Sequence, residues 1–306
     1  MTTATPLAAA PCKPPSRFQK IKPFLAPLLI TCILAGGQYG YGILETNEQG
    51  VFFGLPGTAV AILVSIVFEL IAVKFLTGKW PHLASSYITG ISVGILVRSN
   101  EIVYYALCSL LSNSSKYALR VNNRHLWNPS NLGVSLLLFF VPRDVVPLSL
   151  QWGNHIWVPT IIMSLGAIIL FTLGRLHITL TYVAAFSALS ALRSVITGNE
   201  FITEIGVLTV PSYLLFMIFM ITDPKTTTRT WPRQITVTIV VAVVETILRL
   251  CRETHAPYYA LFIVFPIANL LEIWWEAQQA PKCLPVTSGC GTPAPDAIQK
   301  APSAER

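Results

Sequence analysis

Residues 101–141 read EIVYYALCSLLSNSSKYALRVNNRHLWNPSNLGVSLLLFFV. Two apolar runs, 101–113 and 131–141, flank a basic, turn-rich stretch, and each run is shorter than the roughly 20 residues a helix needs to cross a bilayer. Either buried polar residues extend them into two full crossings, or they are broken or re-entrant helices, which exist only where backbone faces protein or a wet cavity. The choice sets the side of the membrane on which every later loop lies.

On either side, span-length apolar segments occupy 24–43, 52–76, 82–97, 157–174, 177–195, 204–222, 235–251 and 257–275. The chain is 53% apolar and 11% charged, with a mean hydropathy of +0.60. A soluble domain is about 25% charged, so a water-soluble enzyme, a disordered tail and a coiled coil are excluded. With ten crossings and an inside N-terminus, thirteen cations lie inside: Lys13, Arg17, Lys20, Lys22, Lys74, Lys79, Lys116, Arg120, Arg124, Arg175, Lys225, Arg229 and Arg233. Five lie outside: Arg98, Arg143, Arg193, Arg249 and Arg252. If 101–113 only dipped in and out, the count would be ten against eight. The positive-inside rule therefore favours ten crossings with both termini cytoplasmic, in a multi-pass plasma (inner) membrane protein.

The ends are tails. Residues 1–22 are rich in Pro, Ala and Thr, and 277–306 carry five prolines; both are expected to be disordered and cytoplasmic. Five segments fall in 24–141 and five in 157–276, joined by the 142–156 loop. An odd number of crossings per half places the halves in opposite orientation, the arrangement of inverted-repeat transporters, whose sites lie between the repeats at broken helices. The expected fold class is thus an all-α polytopic membrane protein of about ten transmembrane helices in two inverted five-helix repeats.

Two polar stretches run directly into apolar helices. In Lys116 to Gly133, Asn128 before Pro129 is biased away from helix, and Ser130 or Asn131 can cap the short helix that begins at Leu132. The exposed amides of that helix start, beside Lys116, Arg120 and Arg124, suit a phosphate or carboxylate. In Met220 to Arg233, a span ends in Asp223, Pro224 stops the helix, and threonines alternate with Lys225, Arg229 and Arg233. Asp223 can pair with Lys225 or Arg229. Either stretch also reads as an ordinary positive-inside loop.

Together they resemble the NqrB/RnfD family of integral-membrane subunits from the sodium-translocating NADH:quinone reductase and Rnf complexes. The free-standing UnbU-like members associated with enediyne biosynthesis are closer still. Asn128, Pro129, Asn131 and Gly133 match an N-P-x-N turn opening a helix, and Thr222, Asp223, Pro224, Thr226 and Thr227 match T-D-P-x-T at the end of a span. The resemblance implies a urea-transporter-like scaffold, flavin binding and electron transport across the membrane. It makes Asn128, Asn131, Thr222, Asp223, Thr226, Thr227, Lys116, Arg120 and Arg124 the cofactor-binding candidates. The family also carries an S/D-G-A-T-like segment whose threonine takes FMN through a phosphoester bond. No such segment occurs in this chain, and 142–155 offers only Ser149 as a hydroxyl. FMN or riboflavin is therefore expected to be non-covalent, and other membrane subunits of a redox complex, or further copies of the chain, are the implied partners besides the lipid bilayer. No self-contained catalytic motif is present.

Charges at membrane depth are costly and usually functional. Glu245 has Arg249 one turn later, spacing for an intrahelical pair; Glu69 has no well-aligned partner on its own helix. Both are transport-pathway candidates for the other reading of this scaffold, a transporter or channel for a small solute or natural product. The histidines and tryptophans sit near span boundaries, as an aromatic belt predicts, and no histidine base is proposed. Six cysteines show no metal-ligand spacing, so no metal is expected, and no phosphate-binding loop or nucleic-acid module is present.

Overall fold

The computed structural model describes residues 27–28, 31–32, 54–81, 83–122, 124–147 and 157–279. The expectations for both tails, most of the first segment, Ser149 and most of the 142–156 loop lie outside them. The described chain is helical with four very short strands. In order it forms α1 (Gly54–Thr77), α2 (Ala84–Leu96), β1 (Val97–Ser99), α3 (Ile102–Ala118), β2 (Arg120–Val121), β3 (Arg124–His125), α4 (Pro129–Phe140) and β4 (Val145–Pro147). Then come α5 (Trp157–Leu173), α6 (Leu176–Thr197), α7 (Phe201–Gly206), α8 (Pro211–Leu215), α9 (Trp231–Leu250) and α10 (Ala256–Gln279). A π-helical turn, Phe216–Met220, continues α8.

The surface is that of a lipid-facing protein. Phe75, Phe171 and Val195 are 88%, 78% and 84% exposed, with Leu63, Ile71, Phe139, Phe140 and Ile202 also outward. Such a belt far exceeds the apolar patches a soluble monomer tolerates. The interior holds the reverse, including Glu69, Lys116, Arg193, Glu245 and Glu272. Among the described residues Pro56–Leu76, Leu176–Thr197 and Ala256–Gln279 are long and apolar enough to cross a membrane, and Phe201–Thr209 with Ser212–Met220 forms a pair bent by 65°. The protein is therefore a helical membrane protein. The bend corrects the expectation of one continuous helix over 204–222.

The 101–113 run extends as α3 to Ala118 because Ser109, Ser112, Asn113, Ser115 and Lys116 are buried inside the protein. Asn113 Nδ2 donates to Ser65 Oγ on α1 at 2.7 Å, and Ser109 Oγ to the Ala61 carbonyl at 3.0 Å. Helix α4 stays at twelve residues. Both short helices, α2 and α4, hand over to strands that pair antiparallel, Val97 opposite Pro147 and Ser99 opposite Val145. That pairing satisfies part of the backbone where helix stops, as membrane depth demands.

Small residues set the closest helix contacts. A side chain on Gly90 would meet the Ile62 backbone of α1 at 2.6 Å, and Gly94, one turn on, would meet Thr58, whose hydroxyl donates to the Gly94 carbonyl at 3.1 Å. This is the small-x-x-x-small solution for helices whose association lipid does not drive. Gly90→Leu is expected to lower the unfolding midpoint in detergent by the equivalent of about 1–3 kcal/mol, the usual cost of overpacking. Gly206→Ala, where nothing lies within 4 Å, is the neutral control.

Candidate functional site

The two motif stretches meet. Asn128 caps α4 by accepting from the Asn131 amide at 3.1 Å, and its Nδ2 donates to Asp223 Oδ2 at 3.3 Å and to the Met220 carbonyl at 3.4 Å. Asp223 Oδ2 also accepts from Thr226 Oγ1 at 3.1 Å, and Oδ1 from the Lys225 amide at 3.1 Å. Thr222 bonds back to the Ile218 carbonyl and Thr227 to that of Asp223. Residues 95 apart in sequence are thus joined through one carboxylate.

The π turn explains why the second stretch offers acceptors. Its widened ladder, closed by the Ile221 amide on Phe216 O at 3.1 Å, leaves carbonyls for others: Met217 O takes the Thr179 hydroxyl at 2.9 Å and Met220 O takes Asn128. Such turns are frequent at functional sites.

The junction walls a cavity of about 450 Å³, within the range of small-molecule sites. Its polar end is formed by Lys116, His125, Asn128, Ser130, Asp223 and Lys225, and its apolar walls include Ile88, Ile169, Leu215, Ile218 and Phe219. Along α2, Ser85, Thr89 and Ser92 line it as a hydroxyl stripe at helical spacing. Lys116 Nζ donates to Asn113 Oδ1 at 2.8 Å and lies 3.9 Å from Glu69 Oε2. Glu69 thus finds its partner on a neighbouring helix. Burial, then the cations Arg120, Lys225 and Lys116, push the His125 pKa down to about 4, so its ring is neutral at physiological pH. Burial raises the Asp223 carboxyl above its ordinary value, against the hydrogen bonds it accepts.

Of the cofactor-binding candidates, Lys116, Asn128, Thr222 and Asp223 line the cavity. Asn131 is turned to the Tyr258 carbonyl at 3.2 Å, Thr226 and Thr227 brace the Asp223 loop, and Arg120 is exposed on β2. Arg124 is committed elsewhere: Nη2 pairs with Glu272 Oε2 at 2.6 Å and donates to Asn269 Oδ1 at 3.2 Å. Arg233 Nη1 meets the other oxygen of Glu272 at 3.0 Å, and Asn269 Nδ2 donates to the carbonyls of Leu126 and Thr226. The basic loop of the first stretch is thereby stapled to α10 and to the second stretch. Asp223 forms no ion pair with Arg229, which pairs instead with Glu276 at 3.4 Å.

Glu245 lies away from the cavity. It is fully buried, accepts from the Tyr182 hydroxyl and from Tyr213 at 2.5 Å, and pairs with Arg249 at 3.1 Å, the intrahelical pair its spacing predicts. Arg249 in turn reaches Tyr213, and Arg193 is held by Glu204 at 2.9 Å. Ser130, Lys225, His125 and the α2 hydroxyls also line the wall and are not among the cofactor-binding candidates. The signal for the hydroxyls was present, since 85, 89 and 92 share one helix face.

Comparison with models of known protein families, and with curated proteins, finds no match to this chain. Among the described residues no group of three or more His, Cys, Asp or Glu side chains is placed to hold a metal.

Proposed function

We propose that this protein is an inner-membrane flavoprotein of the NqrB/RnfD type that holds FMN or riboflavin non-covalently in the cavity and takes part in electron transfer across the membrane. The observation that carries the reading is the Asn128–Asp223 junction. It makes the two motif stretches, N-P-x-N and T-D-P-x-T, one wall of one cavity. The cavity has the character a flavin needs. Its apolar walls suit the ring, its polar end has donors and acceptors, and His125 Nδ1 lines that end without a hydrogen-bond partner among the described residues. Bound there, flavin would supply one- and two-electron chemistry. Asn128 would hold its polar edge and the Ile218–Phe219 wall would keep water from the ring.

Ten crossings in two inverted repeats complete the proposal. In the first half α1 packs on α2 and α3, and α3 on α4; in the second α6 packs on α7 and α9, and α9 on α10. The buried charges repeat as well, with signs exchanged: Lys116 is the fifteenth residue of α3 and Glu245 the fifteenth of α9. The cavity lies between the halves, where such folds place their sites, and both termini would be cytoplasmic.

The test is a visible absorption spectrum of protein purified from flavin-replete cells. A yellow protein whose colour leaves on denaturation is expected, and a colourless one overturns the reading. Asn128→Leu, which removes both the cap and the bond to Asp223, is expected to weaken flavin binding about tenfold, corresponding to about 1.4 kcal/mol. The hydroxyl stripe of α2 favours a second reading, a transporter for a small polar solute. That reading requires flux into liposomes that Asp223→Asn or Glu69→Gln abolishes.

A further inference from the structure

We propose that the polar end of the cavity is a phosphomonoester site, built from Lys116, His125 and the amide end of α4, which makes the cavity select FMN over riboflavin. The proposal rests on the flavin reading and names which flavin the site takes.

Among the described residues helix α4 presents one free amide there. Pro129 has none, the Asn131 amide is satisfied by Asn128 Oδ1, and that of Leu132 by the Asn128 carbonyl at 2.9 Å. Ser130, which lines the cavity, keeps an amide with no carbonyl available inside the helix. The positive end of the helix dipole adds to its attraction for an anion. His125 supplies an independent observation. It is nine-tenths buried on the same wall, and Nδ1 has no partner among the described residues. A neutral ring with Nδ1 protonated donates one bond and wants an acceptor oxygen. Lys116 offers the third donor. Its ammonium bonds Asn113 Oδ1 at 2.8 Å, while the Ser85 carbonyl at 3.5 Å and Glu69 at 3.9 Å are long contacts that a phosphate oxygen would outcompete.

The charge balance of the wall agrees. Among the lining residues Lys116 and Lys225 outnumber the one carboxylate, Asp223, whose oxygens are taken up by Asn128, Thr226 and the Lys225 amide; Glu69, 3.9 Å from Lys116, is not part of the lining. Three donors arriving from three elements, α3, β3 and α4, match the three terminal oxygens of a phosphomonoester better than the two of a carboxylate. Riboflavin, which lacks that group, would leave the Ser130 amide and His125 Nδ1 unmatched.

The full-length protein in nanodiscs of phosphatidylcholine, stripped of flavin, is titrated with FMN and with riboflavin while flavin fluorescence is followed. FMN is expected to bind at least tenfold tighter. Lys116→Gln should remove about tenfold of the FMN affinity and leave that for riboflavin unchanged. Lys225→Gln, at an exposed position, gives the same direction with a smaller change should Lys116→Gln fail to fold. Millimolar inorganic phosphate should displace FMN and not riboflavin. In nanodiscs containing phosphatidate, weakened FMN binding supports the same chemistry with a lipid headgroup as competitor. Equal affinities for the two flavins overturn the phosphate site and leave the flavin reading standing. Binding of neither flavin overturns the flavin reading and this inference with it.

Discussion

Glu272→Ala is expected to destabilise the folded protein by about 3–5 kcal/mol, the cost of breaking a buried ion pair and leaving a charge behind. The Glu272 side chain is 1% exposed and Arg124, its partner at 2.6 Å, is 9% exposed. Removing the carboxylate leaves Arg124 with Asn269 Oδ1 as its remaining acceptor and takes a partner from Arg233 and from the Arg229 amide. The loss loosens the 119–128 loop, which then rests on α10 through Asn269 to Arg124 and the Leu126 carbonyl and through Trp127 to the Phe262 carbonyl. Glu276→Ala removes a pair whose side chains are 62% and 38% exposed, and should cost no more than about 1 kcal/mol. Unfolding of the variants in detergent checks both. A double variant, Arg124→Leu with Glu272→Leu, should be less damaging than Glu272→Ala, because no unpaired charge is left. Equal midpoints for Glu272→Ala and Glu276→Ala would refute the staple.

Glu245→Ala should be comparably severe, about 3–5 kcal/mol by the same reasoning. Three donors converge on that carboxylate: the hydroxyls of Tyr182 and Tyr213 and the Arg249 guanidinium. Alanine takes the acceptor from both tyrosine hydroxyls and leaves the Arg249 guanidinium, 19% exposed, on Tyr213, whereas Tyr182→Phe removes one donor and should cost about 1–2 kcal/mol. Arg249 and Arg193 also lie over the Phe186 ring at 5.6 and 4.9 Å, so the two guanidiniums share one aromatic ring, each neutralised by its own carboxylate, Glu245 and Glu204. Glu245→Gln, which keeps the shape and an acceptor, should recover most of the stability. A glutamine variant as unstable as alanine would show that shape and acceptance alone do not account for the cluster.

These residues also show what the sequence could and could not carry. The Glu245–Arg249 pair was legible because it is local, four residues along one helix. The turn at Asn128 was legible for the same reason, although the cap itself is Asn128 and not Ser130 or Asn131. Glu69 looked unpartnered because its counter-charge, Lys116, arrives from a different helix, and no periodicity on α1 encodes that meeting. Arg124 was counted among the anion-binding candidates on proximity to the turn, yet its direction is set by Glu272, 148 residues away. The polar run Ser112 to Lys116 ended the apolar segment by composition while the helix continued, since α1 supplies partners for Ser109 and Asn113. The bend over 201–220 lies in a run apolar enough to read as one span, and the π turn that interrupts it has no composition of its own. In the sequence His125 reads as an interfacial ring, as a histidine at a span boundary usually is. Only the folded loop turns it to the cavity.

The depth of the cavity has an electrical meaning. It follows α2 from Ser85 to Leu96, about 16 Å of helix, roughly half of a hydrocarbon core of about 30 Å. Beyond Leu96 follow the β1–β4 pair and the fully buried Val97 and Val145. In the proposed topology a recess open to one aqueous phase would carry that phase's potential inward, and the membrane voltage would fall mainly across the remainder. A charge resting at the floor has crossed little of the field, and the full drop, about 2.3 kcal/mol per charge for every 100 mV, is compressed into the last half of the path. In the proposed topology, charge movement beyond Leu96 would be the voltage-sensitive step, and binding at the polar end would be nearly blind to membrane potential.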